Sequence, residues 1–210
     1  MSDKRLNTKF CELTGIQFPI VQTGMGWVAG PNLVTATCQA GALGILAAAT
    51  LTFDEMAKAV EEIRKNTQNP FGVNLRTDAL DIETRIEHLI HSQVPVVSFA
   101  QAPTQRIVER LKEADVIVMP TIGAARHAEK VAEMGVDAVI AQGSEGGGHT
   151  GVIPTSLLIP QVIDTVDIPV IAAGGFTDGR GLAAALAWGA SGIAMGTRFL
   201  LTSESDVPEN

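Results

Sequence analysis

Cysteine is nearly missing from this chain: Cys11 and Cys38 are the only two, and their spacing fits no metal-binding pattern. A disulfide framework is thereby excluded, and two isolated thiols suit a reducing compartment, so the expected location is the cytoplasm. Clustered Lys and Arg are lacking as well. With 15 basic against 23 acidic residues and a formal charge of −8, nothing rewards a nucleic acid or an anionic membrane as partner. No run approaches the ~20 apolar residues of a membrane span, and the opening ten residues hold no apolar signal segment. Low-complexity linkers are absent too, which favours one domain over residues 1–210 rather than two.

What is present is a repeat of short apolar runs within a chain that is 46% hydrophobic. They fall at Pro19–Gln22, Leu43–Ala47, Phe71–Asn74, Val94–Ser98, Asp115–Met119, Asp137–Ala141, Ile168–Ala172 and Ser191–Met195, each reading as a buried strand. Helix-forming segments lie between them, at Asn32–Gln39, Phe53–Lys65, Ile82–His91, Thr104–Leu111, Ala124–Met134, Ser156–Thr165 and Arg180–Trp188. Strands apolar on both faces alternating with helices imply a parallel sheet covered by helices. Eight strands and seven intervening helices predict an α/β fold of the TIM (β/α)8 barrel type, with an open doubly wound sheet as the runner-up. Closure is favoured because chemistry-bearing residues follow several strands and no loop has the spacing of a dinucleotide fingerprint. The acidic tail Thr202–Asn210 reads as frayed, so the last helix and C-terminal segment of such a barrel are expected to be missing.

The densest chemical signal is Gln142-Gly-Ser-Glu-Gly-Gly-Gly-His-Thr-Gly151, a glycine-rich loop directly after the sixth run. Its glycines, Gly147 and Gly148 among them, let backbone approach a flat or charged ligand, and His149 is presented to that ligand; the alternative is a surface turn with an idle histidine. Ala172-Ala-Gly-Gly175 before a helix start, and Met195-Gly-Thr-Arg198 one strand later, are paired glycine turns after strands seven and eight. Free N–H groups and a helix dipole there suit a phosphate, although two turns chosen for close packing would look the same. Thr23-Gly-Met-Gly26 closes strand one and Asn74 closes strand three. The backbone at Gly24 and Gly26 allows a planar ring to lie on it, and the Asn74 amide can donate to and accept from a polar ring edge. Asn74 as a helix cap and Met25 as core filler are the competing readings. His88, His91 and His127 read as solvated helix faces, and no metal-ligand or Ser-His-Asp constellation emerges.

Taken in order, Pro19-Ile-Val-Gln-Thr-Gly-Met-Gly26, Ala141-Gln-Gly-Ser-Glu-Gly-Gly-Gly-His149, Ala172-Ala-Gly-Gly-Phe176 and Met195-Gly-Thr-Arg-Phe199 resemble the nitronate monooxygenase family, formerly 2-nitropropane dioxygenases. The flavin-dependent enoyl-acyl-carrier-protein reductases are closely similar. The resemblance covers nearly the whole chain. It implies a single FMN-binding TIM-barrel domain, with Gly174, Gly175, Gly196 and Thr197 around the FMN phosphate. Gly24, Met25, Asn74 and Gln142 would surround the ring and ribityl chain, and His149 would lie on the substrate side. The implied activity is oxidation of an alkyl nitronate or nitroalkane with molecular oxygen, the flavin carrying the redox chemistry and His149 the proton. Enoyl-thioester reduction with NAD(P)H, or flavin binding without turnover, are the alternatives.

Family members commonly run longer, so the chain reads as a C-terminally truncated barrel, and a homo-oligomer covering the uncapped face is a further expectation. Some members carry a lysine near Met119, so no cationic substrate contact is expected from strand five.

Overall fold

The structure, a computed structural model, describes residues 6–148 and 150–207. Eight parallel strands close into a barrel in chain order: β1 Ile20–Gln22, β2 Leu43–Ala47, β3 Phe71–Leu75, β4 Val96–Phe99, β5 Ile117–Ile122, β6 Val139–Gln142, β7 Val170–Ala173 and β8 Gly192–Met195. The seam is β1 against β8, with Val21 opposite Ala194 and Gln22 opposite Met195. The TIM barrel expected from the repeat is therefore what forms.

Each strand feeds a helix that returns on the outside: α2 Pro31–Gln39, α3 Phe53–Asn66, α4 Ile82–His91, α5 Gln105–Glu113, α6 Ala125–Glu133, α7 Thr155–Ile163 and α8 Gly179–Ala187, α1 being Lys9–Thr14 before the first strand. Strand residues alternate between two cores. Leu46, Val73, Val97 and Val118 join the helices' inner faces in the outer layer, while Val21, Ile45, Val96, Met119, Ile140 and Ile171 fill the lumen. Filling on both faces is why the strands read as continuous apolar runs.

Several strands start about two residues later than their runs. The reason is visible at Asp115, whose φ of 56° is left-handed and belongs to the turn after α5. β5 instead extends through Pro120 to Ile122. Asp137 likewise stays outside β6, accepting from the Val118 N–H at 2.8 Å and pairing with Lys112.

Sequence reading missed α1, because six residues give too short a stripe to detect. Thr8 caps it, Gly15 at φ 76° ends it, and the buried Phe10 plugs the N-terminal end of the lumen. Thr8 Oγ1 also donates to the Ser191 carbonyl just before β8, at 2.6 Å.

Beyond β8, the described residues form α9, Thr197–Leu200, and turns. No full-length eighth barrel helix occurs among them. Ser205 Oγ donates to the Leu200 carbonyl, and Asp206 N–H to the Val28 carbonyl, so this stretch folds back on the β1–α2 loop. No helix among the described residues is long and apolar enough to cross a membrane.

Candidate functional site

The C-terminal ends of the strands surround a cavity of about 610 Å³. All ten residues expected to hold a cofactor line it: Gly24, Met25, Asn74, Gln142, Gly147, Gly148, Gly174, Gly175, Gly196 and Thr197. His149, the expected catalytic residue, lies outside the described residues, between lining Gly148 and Thr150.

On the β1 side a Cβ at Gly24 would stand 2.7 Å from the Asn74 Cβ, so only glycine lets these two loops meet. Asn74 donates from Nδ2 to Ser98 Oγ at 3.0 Å, which fixes the amide and leaves its carbonyl oxygen available to the cavity. The neighbouring β2–α3 loop is pinned by Arg85 of α4, a buried guanidinium that donates to the Ala48 and Leu51 carbonyls at 3.0 and 2.7 Å and to Asp81 at 2.8 Å. That hydrogen bond from Arg85 holds the Asp81 carboxyl below its usual range.

On the opposite side the glycine loop after β6 is tied back on itself. Gln142 donates from Nε2 to the Gly147 carbonyl at 2.8 Å, and Gly148 has φ 77°. Glu145 accepts from both the backbone N–H and the Oγ1 of Thr155, each at 2.8 Å, at the first residue of α7. Those donors, the backbone one foremost, hold the Glu145 carboxyl below the usual carboxylate range. Thr155 sits where a Cβ on Gly143 or Gly174 would strike its Oγ1, at 2.2 and 2.5 Å.

The two turns expected to take a phosphate are present. Gly174 and Gly175 both have positive φ, 111° and 78°, which an L side chain would strain. The N–H groups of Gly175 and Gly196 donate to no backbone oxygen among the described residues. The N-terminus of α8 is a different matter from the expectation. The Asp178 carboxylate already caps it, accepting from Arg180 N–H at 2.9 Å, and so puts a negative charge where an anion was expected.

Sequence reading missed Ser98, Thr121 and Glu145 in the lining and Thr155 beside it. Ser98 was legible as the polar residue ending an apolar run; the others follow shifted strand ends or lie in the loop attributed to its glycines alone. His88 bonds Ser92 and meets Phe53 edge-on. No cluster of three or more metal-ligating side chains occurs among the described residues.

Fold and site define an α/β-barrel protein with its ligand cavity at the C-terminal face, where barrel enzymes carry their chemistry. The chain belongs to the nitronate monooxygenase family, whose model matches residues 7–83 and 78–210, two stretches that overlap at residues 78–83, across the end of the β3–α4 loop and the start of α4. It is 62% identical over 205 residues to a Rhodococcus jostii protein named (3aS,4S,5R,7aS)-5-hydroxy-7a-methyl-1-oxo-octahydro-1H-indene-4-carboxyl-CoA dehydrogenase, covering 98% of this chain and 58% of that protein. The chain thus spans little more than half of that relative's length. A probable nitronate monooxygenase of Staphylococcus saprophyticus is 34% identical over 248 residues, covering 96% of this chain and 70% of that protein. That alignment is longer than this 210-residue chain, so it contains gaps the Rhodococcus alignment does not need. Among solved structures, FabK from Thermotoga maritima superimposes with a TM-score of 0.93 at 41% identity, over 96% of this chain and 65% of that one.

Proposed function

We propose that the chain is the cofactor-binding barrel of an FMN-dependent oxidoreductase that dehydrogenates an acyl-CoA substrate. The observation that carries this reading is the 62% identity, over nearly every residue, to a protein named as a carboxyl-CoA dehydrogenase. The cavity is consistent with FMN. Its volume of about 610 Å³ falls in the range of small-molecule sites, and the turns at Gly175 and Gly196 offer one terminal phosphate N–H donors that no backbone oxygen among the described residues takes up. A Cβ at Gly24 or Gly174 would intrude on the neighbouring loop.

When bound, the flavin supplies a hydride acceptor, which no side chain of the polypeptide provides. The chain's own part is to bind, orient and handle the proton. Met25 and the Gly24 backbone would flank the ring, the Asn74 carbonyl oxygen, held by Ser98, would meet its polar edge, and Gly147 and Gly148 would border the substrate side. Dehydrogenation also releases a proton, and we assign its acceptance to His149, whose ordinary pKa near 6.5 suits the task at neutral pH.

Nitronate oxidation is the second reading, favoured by the family model and the staphylococcal relative. One experiment separates them. The FMN-loaded protein is mixed anaerobically with a bicyclic hydroxyacyl-CoA, with an alkyl nitronate and with NADPH in turn, and the flavin absorbance is followed. Bleaching by the acyl-CoA alone is expected. Bleaching by the nitronate alone moves the assignment to nitronate oxidation, and bleaching by NADPH alone points to thioester reduction.

A further inference from the structure

The β6–α7 loop and the turn after β7 are joined by one side chain. Thr155 Oγ1 lies 2.8 Å from Glu145 Oε2 and 3.2 Å from the Gly174 carbonyl, while its N–H donates to the same carboxylate. The hydroxyl has a single proton, so it serves one acceptor at a time, and the charged carboxylate is the stronger. The contact is close everywhere. The Cβ position of Gly174 is 3.2 Å from both the Gly143 carbonyl oxygen and the Gly146 nitrogen, and that of Gly175 is 3.3 Å from the Glu145 Cβ. Thr155 is buried, and Gly143 and Gly174 leave room for nothing larger than hydrogen beside it. Glu145 and Thr155 therefore pin both ends of the eleven-residue segment 145–155, whose sequence contains Gly147, Gly148 and His149.

We propose that Thr155 is a positioning residue: with Glu145 it clamps the loop that carries His149 against the glycine turn after β7, so that filling that turn orders the loop. The inference rests on the reading of the turn as part of the FMN site. Its physical basis is shared backbone contact. An anion drawn to the Gly175 N–H fixes the turn, and the turn's neighbours are the Glu145 side chain and the Gly143–Gly146 backbone.

Hydrogen exchange of the full chain tests it, comparing wild type with Thr155→Val, which keeps the shape and loses the hydroxyl, and Thr155→Ser, which restores it. Without FMN, peptides covering residues 143–155 should exchange at least tenfold faster in Thr155→Val and near the wild-type rate in Thr155→Ser. With FMN, protection of the same peptides should grow in wild type and Thr155→Ser but not in Thr155→Val. Turnover of the valine variant should fall roughly ten- to a hundredfold in kcat with KM little changed, as expected of a misplaced group. Equal exchange in all three proteins without FMN overturns the clamp. Equal FMN-dependent protection in all three overturns the coupling. A wild type that binds no FMN refutes the cofactor reading and, with it, the coupling, while the flavin-free comparison still decides the clamp.

Discussion

At the scale of single residues, Glu145 carries a consequence for acid stability. Its carboxyl is held below its ordinary value of 4.5 by donors that exist only in the fold, the Thr155 N–H first. A carboxyl whose folded pKa is depressed stabilises the fold above its unfolded pKa and loses that contribution as pH falls through the folded one. Wild type should thus melt above Glu145→Gln at pH 7, and the gap should close as pH drops below about 4.5. A gap that is constant from pH 7 to pH 3 would contradict a charge-based role. The glycines of this site were legible in the sequence because a Gly-Gly pair marks backbone that L side chains rarely adopt, and Gly174 and Gly175 have φ 111° and 78°. Thr155 was not, since nothing local distinguishes a threonine at a helix start from one that bridges two loops.

At the scale of elements, strands and helices were readable to within about two residues wherever a run is buried on both faces. The errors fall where apolar residues continue into turns, as at Asp115 and Asp137, because hydrophobicity reports burial rather than backbone conformation. The miss of α1 has a further cause besides its six-residue length: its role is tertiary, set by the open end of a lumen that exists only once eight strands have closed. Phe10 is fully buried in that lumen. Phe10→Ala should therefore cost about 3 to 5 kcal/mol, read as a lower urea midpoint at unchanged slope. A loss below 1 kcal/mol would show that the plug is dispensable.

At the scale of the whole molecule, large exposed apolar side chains gather at one end. Trp27, Leu80, Val152, Leu157 and Leu201 all follow strands at the cavity face, in loops or in the first turn of α7, with Leu80 and Val152 almost wholly exposed. Single exposed apolar residues are ordinary, but a gathering around one mouth favours association. Leu80→Lys combined with Leu201→Lys should leave the melting temperature nearly unchanged, since surface changes stay within about 0.5 kcal/mol. It should reduce self-association in sedimentation at high protein concentration. An unchanged sedimentation profile would count against that face as the sticky one.

The seam of the barrel also has a bearing on synthesis. β1 pairs with β8, and Thr8 reaches the carbonyl of Ser191, 183 positions away along the chain. A ribosome makes β1 early and β8 last, at about 5 to 20 residues per second, so for several seconds at least β1 has a bare edge and the Phe10 plug has no finished lumen to enter. Until β8 emerges and pairs with it, the β1 edge of the nascent chain is open to mispairing and to chaperones.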